Sequence, residues 1–174
     1  MRSAGPVPED RRVAGVVFDL DGTLYDKRPV ERYVATRMLL TLPRLLKYTK
    51  VRQSLAGADF GSGEAIQRET LARLASGAAA QAGWQRWIGE RYEPLVLRAL
   101  QRAGRAYPGA APLLARLRAA GLRLGMVSDY RGADERLRAI GVDPAVFDFR
   151  LVTEELGAMK PAARACSSAT STRS

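Results

Sequence analysis

The most informative feature of the composition of this 174-residue chain is that it contains no histidine. Without imidazole the chain cannot form a Ser-His or Cys-His nucleophile pair, and it has no histidine metal ligand or imidazole base. Cysteine is nearly missing too, because Cys166 is the only one, which excludes an internal disulfide and a cysteine zinc cluster. The chemistry that remains is that of carboxylates, hydroxyls and lysine acting with a hard metal ion.

Long hydrophobic runs are also missing, since no apolar stretch approaches the roughly 20 residues that span a bilayer. Residues 1–12 hold basic residues but no adjoining apolar segment, so they do not resemble a secretory signal. Their two prolines and alternating charges predict a disordered lead. With 47% hydrophobic residues the chain fits a globular protein with one core, and we expect it to be cytoplasmic.

The chain is strongly basic, with a formal net charge of +10 and a pI near 10.4. Such a balance can indicate a nucleic-acid partner. The basic residues are scattered, however, and they form neither a basic repeat nor a recognised nucleic-acid motif. We therefore expect mainly solvated surface charge, with a nucleic-acid-binding surface as the alternative. Two denser basic segments, residues 28–52 and 98–123, are candidates for drawing anionic substrates toward a cleft.

The most distinctive stretch is V-A-G-V-V-F-D-L-D-G-T-L-Y, residues 13–25. The run Val16 to Phe18 predicts a strand buried on both faces, and it leads into Asp19 and Asp21. Extended geometry puts these two carboxylates on one side of the chain, and Gly22 lets the backbone turn away. Two like charges this close predict either a retained proton or a bound Mg²⁺. The alternative is an aspartate pair that only caps or turns the chain.

From residue 28 to 105 the pattern changes to helices alone. A first helix is indicated by apolar residues at helical spacing, with a break or kink at Pro43: Val30, Tyr33, Val34, Met38, Leu42, Leu45 and Leu46. Ser62 is a plausible cap for a second helix. A third helix runs through Trp84 and Trp87, whose simplest role is packing within this segment.

Beyond residue 105 the sequence predicts alternating helices and strands. Pro112 begins a helix, residues 122–127 form a second strand, and residues 147–152 form a third. This order predicts a doubly wound, Rossmann-like α/β sheet with an all-helical insertion.

Two further polar positions lie where such a sheet binds ligands. Ser128 ends the second strand and can donate a hydrogen bond to a phosphate oxygen, although a Ser-Asp turn with Asp129 is the plain alternative. Lys160, in G-A-M-K-P, is either a surface lysine or a cation for the same site.

Together these stretches resemble the motifs of the haloacid dehalogenase-like hydrolase superfamily, whose members are mostly Mg²⁺-dependent phosphatases and phosphomutases. The resemblance implies that Asp19 is the nucleophile that forms an aspartyl phosphate, and that Asp21 is the general acid and base. Both would hold Mg²⁺, Asp21 through its backbone carbonyl. Ser128 would hold the phosphoryl group and Lys160 would neutralise its charge. Other implied contacts with the substrate are Gly22, Thr23 and Asp129.

The resemblance also implies an architecture. It gives an α/β core at residues 13–27 and 106–161, with residues 28–105 as a helical cap that closes over the site. An aspartate after the nucleophile points to phosphoryl transfer, because the dehalogenase branch lacks this second acid. The substrate would be a small phosphorylated metabolite.

The chain departs from the family pattern in two places. Asp129 replaces the usual Asn, and an ionised carboxylate there would repel phosphate. After residue 161 the family has a further strand and a fourth, acidic motif, whereas residues 162–174 show no apolar period and predict a disordered tail. We therefore expect a truncated sequence with the C-terminal strands missing, a weakened metal site, frustrated aspartates and an exposed edge at the first strand.

Besides the nucleic-acid alternative, three functions remain open on the sequence alone. The leading prediction is a Mg²⁺-dependent phosphatase acting on a small phosphomonoester, with little activity in the chain as it stands. A phosphomutase of the same superfamily cannot be separated from it by the motifs. A catalytically incompetent fragment or binding module is favoured by Asp129 and by the missing acidic motif.

Overall fold

The structure is a computed structural model, and it describes residues 13–171, with side chains described as far as residue 168. The predicted disordered lead, residues 1–12, lies outside the described residues. A three-stranded parallel sheet forms the centre, with β1 at Gly15–Asp19, β2 at Arg123–Ser128 and β3 at Phe149–Val152. The strand order is β1-β2-β3, so β2 lies in the middle. The predicted Rossmann-like α/β fold is confirmed.

The buried central strand is β2 and not β1. Leu124 and Met126 of β2 are fully buried, whereas Val17 of β1 is 42% exposed. The prediction that β1 is buried on both faces was therefore wrong. The physical reason is its place in the sheet, because within residues 13–171 it pairs with β2 alone. The expectation of an exposed edge at β1 is confirmed for these residues.

Helices fill the chain between β1 and β2. They are α1 at Arg28–Arg37, α2 at Leu42–Ser54, α3 at Gly63–Leu74, α4 at Ala78–Trp87 and α5 at Glu93–Ala103. A short 3₁₀ turn at Leu39–Thr41 joins α1 to α2, and a π-helical segment at Ile88–Tyr92 joins α4 to α5. The position of these helices agrees with the predicted insertion, and its role as a cap stays a prediction.

Local sequence explains where these helices begin. Pro43 lies in the first turn of α2, where a missing N–H costs nothing, so it starts a new helix and does not kink the predicted one. Pro94 has the same place in α5. The predicted cap of α3 is present, since the Ser62 hydroxyl accepts a hydrogen bond from the Ala65 N–H at 3.2 Å.

Aromatic side chains pack the inserted helices together. Trp87 is 5% exposed and stacks on Tyr92 at 5.8 Å between ring centroids, while Tyr48 meets both rings edge to face. Trp84 meets Trp87 in the same way at 5.5 Å. The simple interpretation of the two tryptophans as packing residues is confirmed.

The remaining helices flank the sheet. They are α6 at Ala110–Ala119, α7 at Ala133–Ala139, α8 at Thr153–Leu156 and α9 at Ala163–Ser171. Helix α9 corrects the predicted disordered tail, residues 162–174, over residues 163–171, and residues 172–174 lie outside the described residues. Its physical basis is a cluster of small side chains, because Ala162 and Ala165 are buried against Ala158. Among the described helices, none combines the length and the hydropathy that crossing a lipid bilayer requires.

Candidate active site

The sheet brings two predicted residues to one edge. Asp19 is the last residue of β1 and Ser128 the last of β2, and the parallel register pairs Asp19 with Val127. The carboxyl ends of neighbouring parallel strands are where open α/β sheets bind ligands. The site is therefore built on the two strands that the sequence indicated.

Asp19 is joined to a lysine that lies far away in the sequence. The Lys160 ammonium donates to Asp19 Oδ1, and the Thr23 hydroxyl donates to Asp19 Oδ2 at 3.1 Å. The side chains of Asp19 and Lys160 are 38% and 29% exposed, so solvent and a small ligand can reach them. Three of the predicted site residues thus meet around one carboxylate.

Asp21 is held more tightly, because three donors occupy its two oxygens. They are the Tyr25 hydroxyl at 2.6 Å, the Ser128 hydroxyl at 3.3 Å and the Arg136 guanidinium. Burial, together with the negative charge of Asp21, raises the pKa of Tyr25 above its ordinary value of 10.0. Tyr25 therefore stays protonated at neutral pH and keeps donating to Asp21.

These contacts correct the expectation that the two aspartates are frustrated. Asp19 has the ammonium of Lys160 and Asp21 has the guanidinium of Arg136, so each carboxylate has a cation of its own. The like-charge repulsion that the sequence predicts is offset by protein groups. Arg136 lies on α7, where no local motif marks it, which is why the sequence did not indicate it.

Ser128 does not point at solvent. Its side chain is fully buried, its hydroxyl donates to Asp21, and it accepts from the Tyr130 N–H at 3.2 Å. In this arrangement Ser128 orients Asp21, and direct contact with a phosphoryl group stays a prediction. Gly22 and Thr23 are exposed, and Gly22 turns the chain with a φ of +93°.

Asp129 has a structural task that its sequence position did not reveal. Its carboxylate accepts hydrogen bonds from the Thr153 hydroxyl and, at 3.2 Å, from the Lys160 backbone N–H. The second oxygen lies 3.8 Å from the Lys160 ammonium. The carboxylate therefore connects the end of β2 to the segment that carries Lys160. Part of its negative charge is neutralised by the ammonium of that lysine.

The same segment is fixed from the side of the inserted helices. The backbone N–H of Gly57 donates to the Lys160 carbonyl at 3.0 Å, and that of Met159 donates to the Ala58 carbonyl at 2.9 Å. The Phe60 N–H donates to the Gly157 carbonyl at 2.8 Å. Three backbone hydrogen bonds thus place the lysine, and no side-chain pattern could have predicted them.

A cavity of about 880 Å³ opens between the inserted helices and this edge of the sheet. Asp21, Asp129 and Lys160 line it, whereas Asp19 lies outside its lining and is joined to it by Lys160. Its size falls within the range of small-molecule sites.

Two arginines that the sequence did not single out also line the cavity. Arg52 of α2 is 6% exposed, donates to the Asp129 carbonyl at 3.1 Å and pairs with Glu154 at 3.3 Å. Arg52 and Arg136 both lie against the ring of Tyr130, at 5.4 and 5.2 Å from its centroid. In each guanidinium the buried Nε has no hydrogen-bond partner within the described residues.

The fit of Mg²⁺ can be judged from the donors. Within residues 13–171 no three acidic, cysteine or histidine side chains cluster, so the described residues form no resident metal cage. Mg²⁺ commonly binds through one or two carboxylates together with waters and substrate phosphate oxygens. Asp19, which is 38% exposed, suits that mode, whereas the oxygens of Asp21 are engaged by three donors. The described residues thus fit an ion that arrives with the substrate.

Comparison with known proteins gives independent information on the family. The family model described as haloacid dehalogenase-like hydrolase matches residues 13–169. The solved structure of the L-2-haloacid dehalogenase RSc1362 is 27% identical, with a TM-score of 0.57 over 91% of this chain and 72% of its own. No curated protein matches the chain.

Two more solved structures share the fold at lower identity. CbbY from Rhodobacter sphaeroides, in complex with phosphate, is 18% identical with a TM-score of 0.58 over 91% of this chain and 71% of its own. A predicted phosphoglycolate phosphatase from Haemophilus somnus 129pt is 20% identical with a TM-score of 0.51 over 85% and 66%. The chain therefore spans about two thirds of that phosphatase.

Proposed function

Since this chain belongs to the haloacid dehalogenase-like hydrolase family, we propose that it is a Mg²⁺-dependent phosphatase acting on a small phosphomonoester. The observation that carries the proposal is the second acid, Asp21, which lies beside the nucleophile candidate Asp19 and contacts Ser128. An alkoxide leaving group needs a proton, and a carboxyl group at this place can supply one. A halide leaving group needs none.

The first step forms a bond between a carboxylate oxygen of Asp19 and phosphorus while the phosphorus–oxygen bond to the alcohol breaks. Asp21 accepts hydrogen bonds as a carboxylate in the structure, so in this proposal it takes up a proton from solvent as the substrate binds and gives that proton to the departing alkoxide. In the second step Asp21 takes a proton from water, the water oxygen bonds to phosphorus, and the aspartyl–phosphate bond breaks. Lys160, which already contacts Asp19, stabilises the negative charge on the phosphoryl oxygens.

Charge supports a role for Mg²⁺. The ion pairs of the site join four carboxylates to four cations: Asp19, Asp21, Asp129, Glu154, Arg52, Arg131, Arg136 and Lys160. Three further acids, Glu31, Glu93 and Glu135, line the cavity with one further cation, Lys27, so the acids are in excess. A phosphate dianion would add to this negative charge. Mg²⁺ bound by Asp19 and the phosphate would supply the missing positive charge and polarise the phosphoryl oxygens.

The inserted helices support a cap role for residues 28–105. Their side chains form one side of the 880 Å³ cavity, and the site edge of the sheet forms the other. Closing these two sides over a substrate would exclude water and strengthen the electrostatic contacts inside.

Dehalogenation of a small 2-halo acid is the second candidate, favoured by the 27% identity with an L-2-haloacid dehalogenase. The same nucleophile would then attack carbon and release a halide. The self-balanced pairs Asp19–Lys160 and Asp21–Arg136 are compatible with such a reaction, since they hold the acids in place through protein groups alone.

One pair of assays separates the two candidates. The purified chain is incubated with para-nitrophenyl phosphate, with and without Mg²⁺, and in parallel with L-2-chloropropionate. The proposal expects release of phosphate, slow in this chain, that needs Mg²⁺ and is lost in Asp19→Asn, with no release of chloride. Chloride release that Asp19→Asn abolishes, without phosphate release, would favour dehalogenation.

A further inference from the structure

Arg52 lies where the inserted helices meet the sheet. It stands in the last turn of α2 and is buried. Its Nη2 donates to the Asp129 carbonyl at 3.1 Å and to a carboxylate oxygen of Glu154 at 3.3 Å, and it lies 4.0 Å from the Met159 sulfur. One guanidinium therefore contacts three segments outside the inserted helices: the residue after β2, helix α8 and the residue before Lys160.

Two of these contacts lead directly to the lysine of the site. The carbonyl of Asp129 is held by Arg52, while its carboxylate accepts a hydrogen bond from the Lys160 N–H at 3.2 Å. The other carboxylate oxygen of Asp129 lies 3.8 Å from the Lys160 ammonium. Met159 is the chain neighbour of Lys160. A shift of Arg52 would therefore reach Lys160 along two short routes.

The backbone hydrogen bonds between residues 57–60 and residues 157–160 do a different task. They fix the lysine segment to the chain that follows α2, whereas the partner of the lysine ammonium, Asp19, lies at the end of β1. Arg52 joins the end of α2 to the sheet, because it donates to the carbonyl of the residue that follows β2. The guanidinium thus keeps the lysine segment in place relative to the strand that carries Asp19.

Neighbouring groups fix Arg52 itself. Its guanidinium lies 5.4 Å from the centroid of the Tyr130 ring, and its ion-pair partner Glu154 is also 3.9 Å from Arg131. A guanidinium keeps its charge at any pH at which the protein is folded, and its planar donors have fixed directions. It is therefore suited to hold other groups in place.

We propose that Arg52 is a positioning residue for Lys160. From the end of α2 it holds Asp129 and Met159, and through them it keeps the Lys160 ammonium against the carboxylate of Asp19. The consequence for turnover rests on the proposed phosphatase function, in which Lys160 stabilises the phosphoryl oxygens. The placement of Lys160 does not depend on that function.

The placement can be measured without a substrate. The four lysines of the chain are acetylated with a trace of acetic anhydride, and peptide mass spectrometry gives the acetylated fraction at each. The Lys160 ammonium is paired with Asp19, so it should be acetylated more slowly than the exposed Lys47 and Lys50. In Arg52→Met the acetylation of Lys160 should rise toward that of Lys47 and Lys50, which should not change.

Arg44 provides a matched control on the same helix. Like Arg52 it has a buried Nε without a partner among the described residues, lies against an aromatic ring, and donates through Nη2 to a carbonyl, that of Gly83 at 2.7 Å. These contacts of Arg44 stay within the inserted helices. Arg44→Met should therefore leave the acetylation of Lys160 unchanged.

Two further variants keep the test decisive if Arg52→Met does not fold. The double variant Arg52→Met, Glu154→Gln removes both charges of the pair, so no carboxylate loses its cation, and it should expose Lys160 as Arg52→Met does. Arg52→Lys keeps one cationic donor with a shorter reach, and it should restore part of the protection of Lys160.

Turnover gives a second readout. Arg52→Met should lower kcat for para-nitrophenyl phosphate by up to about 100-fold, because a displaced charge acts on the transition state, and it should leave KM nearly unchanged. In a Lys160→Ala background the same substitution should have no further effect, since the lysine that Arg52 positions is gone.

The outcomes separate this role from the proposed function. Unchanged acetylation of Lys160 in Arg52→Met and in the double variant overturns the positioning role, and so does an equal rise in Arg44→Met. A raised KM with unchanged kcat would place Arg52 on the substrate and overturn it as well. If phosphate is still released through Asp19 in these cases, the phosphatase function stands alone. Raised acetylation in a chain that releases no phosphate supports the positioning role and contradicts the phosphatase function.

Discussion

Replacing Gly157 by alanine should both destabilise the protein and weaken the site. Gly157 has a φ of +86°, which an L side chain rarely adopts, and an added Cβ would lie 2.3 to 2.5 Å from backbone atoms of Ser62. The left-handed backbone costs roughly 1–2 kcal/mol. Because the clash is with backbone at the start of α3, it adds a further cost of about 1–3 kcal/mol.

A matched control separates these two contributions. Gly121 has a similar φ of +76°, but an added Cβ there meets nothing within 4 Å. Gly121→Ala should therefore lose only the backbone cost, and Gly157→Ala should lose about 1–3 kcal/mol more, measured as the free energy of urea unfolding.

The functional consequence follows from the chain around Gly157. The segment from Gly157 to Lys160 is held by backbone hydrogen bonds to residues 57–60, so a shift at Gly157 moves the lysine away from Asp19. Phosphate release should fall in Gly157→Ala and stay unchanged in Gly121→Ala. Equal loss of stability in the two variants, or full activity in Gly157→Ala, would refute the reasoning.

Three further predictions concern single charges. Asp129→Asn should tighten inhibition by inorganic phosphate about fivefold, because it removes a negative charge 3.8 Å from the Lys160 ammonium; unchanged or weaker inhibition would contradict this. Arg136→Gln should cost about 2–3 kcal/mol in urea unfolding, since it leaves the Asp21 carboxylate without its cation, and Arg138→Gln on the same helix should cost far less. The hydrogen bond from Arg164 lowers the pKa of Asp59 from 3.8 to about 2. This contact therefore stabilises the fold above pH 3.8, and the stabilisation is lost as the pH falls toward 2. The difference in the free energy of unfolding between the wild type and Asp59→Asn should vanish over that window in acid titrations.

Two of the residues that the sequence identified stand at places that the fold class determines. Asp19 and Ser128 end adjacent parallel strands, and that rule alone brings them to one edge of the sheet. Lys160 was predicted from a motif, and it does contact Asp19. What these contacts do in catalysis stays a prediction.

The residues that the sequence missed are fixed by long-range contacts. Arg136 donates to Asp21 from a separate helix, and Thr153 donates to Asp129 from the start of α8, so neither belongs to a local pattern. The burial of β1 was misjudged for a related reason, since an apolar run does not reveal which strand occupies the centre of a sheet. Among the described side chains of α9, Ala165 is the buried one, and so small a side chain gives little hydrophobic signal in the sequence.

The central claim is that Asp19 becomes covalently phosphorylated. After brief incubation with para-nitrophenyl phosphate and Mg²⁺, reduction with borohydride converts an aspartyl phosphate to homoserine, and peptide mass spectrometry identifies the position. The account predicts homoserine at position 19, at a level raised in Asp21→Asn because loss of the base slows hydrolysis of the intermediate. Phosphate release without any modification at Asp19, or undiminished in Asp19→Asn, would contradict it.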